Sequence, residues 1–430
     1  MLRILALLAL TAPAAAPAME FPSPVTDDAY RTTDPATVTL GRLLFWDPIL
    51  SGNRNISCGT CHHPAFGTGD GLSLGLGEGG LGLGPERVAD PDNPPEQRIP
   101  RNAPALWNLG AKEFTVLFHD GRIEDTAAGL RTPMGPEMTE GFASLLSAQT
   151  MFPVLSPDEM AGHYSENDVS RAVRQGIITG PGGAWDLLSD RVRAIPDYVA
   201  MFDAAMPGRD ITFPAISDAI AAFMEHEWRS DTAPFDAWLR GEGDMHPNAL
   251  RGVELFYGSA GCATCHSGPF QTDHDFHATG QPQLGPGKAA RFETHARDEG
   301  RARVTGADAD RFAFRTPSLR NVTETGPWGH AGAYGNLRDF LRDHAAPRSA
   351  LGAYRRDVIL PELPVEDWRI LDDPEEVTAI SAAIRGPDRV LSEADVTALM
   401  AFLEALTDPV ALTGRAGVPE VVPSGLPVDR

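Results

Sequence analysis

The stretch Cys58-Gly59-Thr60-Cys61-His62 recurs in the second half of the chain as Cys262-Ala263-Thr264-Cys265-His266. C-x-x-C-H is the attachment signature of a c-type haem. Two thiols at this spacing can each form a thioether to one porphyrin, and the adjacent histidine is then held beneath the iron as its proximal ligand. A lone copy also fits a zinc site or a redox dithiol. Here two copies use all four cysteines, which leaves none for a disulfide or a separate thiolate site. The reading is two covalently bound haem c groups, one on Cys58, Cys61 and His62, the other on Cys262, Cys265 and His266.

Outward from the motifs, the chain begins Met1-Leu2-Arg3, then runs apolar from Ile4 to Leu10 and reaches Ala14-Ala15-Ala16-Pro17-Ala18. A charged start, an apolar core and an A-x-A-like site make a secretory signal peptide, so residues 1–18 are expected to be cleaved away. The apolar run is too short to span a bilayer, and no other stretch approaches that length. The expected location is the periplasm, with no membrane span after cleavage. A formal net charge of −23 argues against nucleic acid and anionic lipid as partners. It suits a basic redox protein, and it equally suits plain solubility. With 43 glycines and 37 prolines, the 430 residues read as helices joined by many loops.

Residues 36–45 read as a helix leading into the first motif, and residues 249–257 as one leading into the second. Each carries Leu-Phe before a short loop and then C-x-x-C-H. The pattern is an internal duplication. The expected fold is mainly α and loop-rich: two cytochrome c-like haem domains related by duplication, 19–240 and 241–430, hinged near Gly241-Glu242-Gly243-Asp244. Residues 67–101 read as loop, because Gly is a poor helix or strand interior. Residues 213–228 form an amphipathic helix, and Ser392 with Asp395 caps another from Glu393 to Leu406. Beyond Pro409 the tail reads as irregular.

Three further stretches keep a fixed order. They are Arg101-Asn102-Ala103-Pro104-Ala105-Leu106, Phe118-His119-Asp120-Gly121-Arg122, and Phe314-Arg315-Thr316-Pro317-Ser318-Leu319-Arg320-Asn321-Val322. The last runs on to Thr325-Gly326-Pro327-Trp328-Gly329-His330-Ala331-Gly332. With the two haem motifs, this series resembles the bacterial di-haem cytochrome c peroxidase family, which includes the MauG-type enzymes. The resemblance covers most of residues 36–345 and the final helix, while residues 138–185 and 350–390 look like additions.

That resemblance implies a peroxidatic N-terminal haem on His62 and an electron-transfer C-terminal haem on His266. It implies a distal acid/base in Met134-Gly135-Pro136-Glu137-Met138, namely Glu137, which would move a proton between the two peroxide oxygens. A surface carboxylate is the plain alternative. The second axial ligand of the C-terminal haem falls at His344, where the family has Met or Tyr. Leu337, Leu341 and His344 share one helix face, and His330 ranks second as a candidate. A second imidazole in place of Met lowers the haem potential. His119 stands where the family usually has a Trp between the haems. No His lies between His63 and His119, so the first haem is expected to need no reductive opening. The family's one calcium would fall on Asn102, Thr325 and Pro327, oxygen ligands that suit Ca²⁺.

Three functions compete. The first is a periplasmic peroxidase that reduces hydrogen peroxide with electrons from a small redox protein. The second is a MauG-like enzyme that oxidises a residue, such as Trp, of a partner protein. The third is a plain electron-transfer cytochrome. Glu137 and the missing loop histidine argue against the third, and His344 leans toward the second.

Overall fold

The computed structural model describes residues 20–289 and 293–430. The expected signal peptide lies outside the described residues. Among those described, no helix is long and apolar enough to cross a membrane. The described residues are mainly helical and rich in loops, and their strands are two to four residues long in three small sheets.

The first helix, Pro35–Trp46, starts where Asp34 accepts a hydrogen bond from the Thr37 amide at 2.9 Å, with Pro at its first position. It buries Leu40, Leu44, Phe45 and Trp46, and each such side chain contributes about 1.5–3 kcal/mol on leaving water. Its partner is the helix Phe213–Glu227, and the two meet at Gly41, where a Cβ would collide with the Ala219 carbonyl. Only Gly permits that approach. Trp46 then reaches the first haem motif, because a Cβ on Gly59 would strike its ring.

The second half repeats the device. Helix Pro247–Glu254 packs on helix Glu393–Ala405, and a Cβ on Gly252 would collide with the Ala398 carbonyl. Ser392 and Asp395 form the expected capping box. The helix expected over residues 249–257 ends earlier, at Glu254, and continues as a wide turn through Leu255–Ser259, where Gly258 departs from helical dihedrals.

The seam between the halves is polar. Arg101 grips Asp298 through two bonds of 2.7 and 2.8 Å and also meets Asp120 at 2.8 Å. The Arg315 amide donates to the His119 carbonyl at 2.7 Å, and the Asn102 amide to that of His330 at 2.9 Å. Both family-like stretches of the first half are therefore tied to those of the second.

The tail after Pro409 has little secondary structure, yet it is well anchored on the first half. Ala411 and Val422 join the core built from residues 25–228. The Glu227 carboxylate accepts from the amides of Arg415, Ala416 and Gly417. Ser424 donates to Asp47 at 2.7 Å, and Thr60 of the first haem motif donates to Asp429.

Candidate functional site

The first motif begins on the short helix Cys58–Cys61, capped by Ser57 and Thr60. The His62 amide donates to the Cys58 carbonyl at 3.0 Å, which turns the histidine away from the helix. Its Nδ1 lies 3.0 Å from the Thr68 carbonyl. A carbonyl accepts only, so the proton sits on Nδ1 and the Nε2 lone pair is left for a metal. Burial lowers the His62 pKa, which favours that neutral form. Thr68 can aim its carbonyl this way because it adopts a left-handed φ of 61°.

The second motif uses the same parts. The His266 amide donates to the Cys262 carbonyl at 3.0 Å, and Nδ1 lies 3.1 Å from the carbonyl of Gln271, itself at φ 50°. Burial pushes the Cys58 and Cys61 thiols up to about 12 and that of Cys262 to about 11. Redox dithiols work through depressed thiol pKa values, so the cysteine environments do not fit that alternative.

His344 stands opposite His266. It lies near the end of helix Leu337–Ala345, whose amino end is capped by Asn336 and whose Leu337 is buried. The two imidazole centres are 6.3 Å apart, with planes at 67°. Two coaxial metal–nitrogen bonds of about 2 Å, plus about 1 Å from each nitrogen to its ring centre, give about 6 Å. Phe340, one turn earlier, stacks on His344 at 5.3 Å and 10°. Gln281 approaches its Nδ1 at 3.2 Å. Burial, then the nearby His266, brings the His344 pKa down to about 4. No ring contact of this kind faces His62 among the described residues.

His330 is placed elsewhere. It stacks on Phe314 at 3.8 Å and 16°, is 5 % exposed, and neither ring nitrogen has a partner among the described residues. His119 shares this seam. Burial, followed by Arg101, His330 and Arg315, pushes its pKa well below the usual value. Arg315 donates to the carbonyls of Phe118 and Thr316, and burial alone pulls its pKa down to about 10. A guanidinium without a carboxylate partner among the described residues suits a haem propionate. Together with two oriented imidazoles and paired cysteines, it makes the donor set fit a haem at each motif.

The remaining expected residues are less tightly built in. Glu137 lies on the turn Pro136–Met138 with an exposed side chain, beside buried Met138. Asn102 donates from its side chain to the Leu72 carbonyl at 2.8 Å. Its amide bond to His330 places it beside the loop that follows Thr325 and Pro327.

Sequence reasoning missed one polar group. Glu159 and Lys288 interact electrostatically across the fold, with Arg122 close to both. Burial raises the Glu159 carboxyl, and it pulls Lys288 down to about 8. The Glu159 charge also reaches the Cys61 thiol, which places this group near the first motif. No motif marks it, because Glu159 lies in one of the added segments.

A family profile described as di-haem cytochrome c peroxidase matches residues 35–244. The chain is 32% identical over 315 residues to the methylamine utilization protein MauG of Methylorubrum extorquens, covering 72% of this chain and 68% of that one. It is 29% identical to the cytochrome c551 peroxidase of Nitrosomonas europaea, covering 69% of each. Among solved structures, a MauG-like protein associated with microbial copper homeostasis superposes with a TM-score of 0.59 over 94% of this chain and 97% of its own, at 24% identity. The diheme peroxidase BthA of Burkholderia thailandensis gives the same TM-score over 93% of this chain and 91% of its own, at 20% identity. The chain therefore belongs to the di-haem cytochrome c peroxidase family that includes MauG, and it is an oxidoreductase of that class.

Proposed function

We propose that this protein reduces hydrogen peroxide in the periplasm with electrons delivered by a small redox protein. The observation that carries this reading is an asymmetry: His266 faces a second imidazole at 6.3 Å, and His62 faces none among the described residues. The reading makes the His62 haem the open, peroxidatic one. His266 and His344 would hold the closed haem, which would supply the route for electrons.

Four cysteines would hold the two groups by thioethers: Cys58 and Cys61, Cys262 and Cys265. The matching surroundings of the motifs support two duplicated cytochrome c-like domains, 19–240 and 241–430. A haem with an open position supplies a binding site for peroxide and a route for electrons. The overall change is H₂O₂ + 2 e⁻ + 2 H⁺ → 2 H₂O, so the chain's own task is to move protons and guide electrons. Glu137 is the residue assigned to carry a proton from the inner to the outer peroxide oxygen. Its exposed position leaves it a route to solvent protons. His119 occupies the seam and, held neutral by burial, adds no charge to the path between the haems. Asn102, Thr325 and Pro327 are assigned one Ca²⁺ between the domains. The charge of −23 suits a basic donor.

A second reading is favoured by one observation, His344 standing where a peroxidase of this family would have Met. A haem with two histidines has a lower potential and is harder for an ordinary cytochrome to keep reduced. That suits a MauG-like enzyme, which draws its electrons from a residue such as Trp on a partner protein. Stoichiometric peroxide added to the ferric protein separates the two. Rapid return to the ferric state with reduced cytochrome, at many turnovers, supports the peroxidase. A lasting oxidised state that reduced cytochrome fails to discharge overturns it in favour of the second reading.

A further inference from the structure

We infer that Gln281 positions His344 at the second haem and sets that haem's potential. The inference rests on the reading of His344 as an iron ligand. Each of the three imidazoles assigned to iron has its Nδ1 engaged. For His62 and His266 the partner is a backbone carbonyl, at 3.0 and 3.1 Å. For His344 it is the side chain of Gln281, at 3.2 Å, from a segment 63 residues away. The fold fixes the first two partners, whereas a single side chain decides the third.

A ligating histidine needs its proton on Nδ1 so that the Nε2 lone pair is free, and a hydrogen-bond acceptor at Nδ1 enforces that tautomer. As it stands, Gln281 turns its NH₂ group toward Nδ1, and its Oε1 is buried with no partner among the described residues. A half-turn about the last side-chain bond exchanges the two ends of a carboxamide. It brings Oε1 onto Nδ1–H and ends the oxygen's isolation. Phe340 fixes the plane of the ring by stacking at 5.3 Å. Gly329, at φ +93°, leaves room for the amide, since a Cβ there would sit 3.2 Å from Oε1. The ring is thus held by an aromatic face and one neutral acceptor. A neutral acceptor makes the imidazole a moderate electron donor. Removing it weakens donation to the ferric ion, and replacing it by a carboxylate strengthens that donation.

The test uses the di-haem holoprotein and reads the electron paramagnetic resonance spectrum and midpoint potential of the low-spin haem. Gln281→Leu is expected to shift the low-spin signal and raise the potential by an amount equivalent to up to a tenfold loss of ferric preference, about 59 mV for one electron. Gln281→Glu, nearly the same shape, is expected to shift the potential the opposite way, and it keeps the test open if the leucine variant does not fold. His344→Leu serves as reference. If His344→Leu abolishes the low-spin signal while both Gln281 variants match the parent, the inference is wrong and the ligand reading stands. If His344→Leu leaves the low-spin signal intact, the ligand reading fails and takes the inference with it.

Discussion

The two halves of the molecule build their haem motifs from the same parts and finish them differently. In each, a helix ahead of the motif docks through a glycine, Gly41 or Gly252, onto an alanine carbonyl of a later helix, Ala219 or Ala398. In each, the motif histidine donates Nδ1–H to the carbonyl of a residue in the left-handed region, Thr68 or Gln271. The opposite faces diverge. Helix Leu337–Ala345 brings an imidazole over His266, and no described residue brings an equivalent ring over His62. The first motif is instead braced from behind by Trp46 and by the tail residue Asp429. On the proposed reading, one scaffold yields a closed and an open site, and one helix makes the difference.

The largest expected effect follows from that helix. His344→Leu should make the two sites alike, with complete loss of the low-spin bis-imidazole signal and retention of both haems. A surviving low-spin signal would break the comparison. Next in size is the seam that holds the halves together. Arg101→Leu strands the buried Asp298 carboxylate, leaves Asp120 with Arg122 alone, and should cost about 3–5 kcal/mol in denaturant unfolding. The same seam predicts a pH effect. Burial alone would raise the Asp120 carboxyl, but Arg101 and Arg122 outweigh it and bring it down to about 2, and Asp298 is likewise held well below the usual range, chiefly by Arg101. Carboxyls with depressed pKa values stabilise the fold above their unfolded pKa near 4, and that stability is lost as pH falls toward 2. The parent should therefore lose stability from about pH 4 downward, and Arg101→Leu should flatten that part of the profile.

How much of this was legible in the sequence depends on whether the signal was local. The haem motifs, the helix expected over residues 36–45 (observed Pro35–Trp46) and the capped helix beginning at Glu393 are written in spacings of a few residues. The helix face of Leu337, Leu341 and His344 is local too. Gln281 and Glu159 carry no pattern, because each acts on a group far along the chain. The tail reads as irregular in sequence, and past the short helix Pro409–Thr413 it is. What the sequence concealed is its anchoring, since Glu227 binds the amides of residues 415–417, contacts that leave no mark on side-chain periodicity.

Smaller changes sharpen the likeness between the halves. Gly41→Ala and Gly252→Ala each force a methyl into a carbonyl, so each should cost about 1–3 kcal/mol in a urea melt. A marked inequality would show that the two dockings are not equivalent. Asp429→Asn weakens a single side-chain bond to Thr60, with an expected loss of about 0.5–1.5 kcal/mol confined to the first half. Haem-resolved thermal unfolding would detect it, and an equal effect at both haems would argue against the tail as a brace specific to the first motif.

The electron paramagnetic resonance spectrum of the ferric protein as isolated distinguishes one open and one closed haem site from two alike. One high-spin haem and one low-spin haem with two imidazole ligands are expected, the high-spin signal alone responding when hydrogen peroxide is added. Two low-spin haems that ignore peroxide would contradict that expectation and leave a protein that only passes electrons.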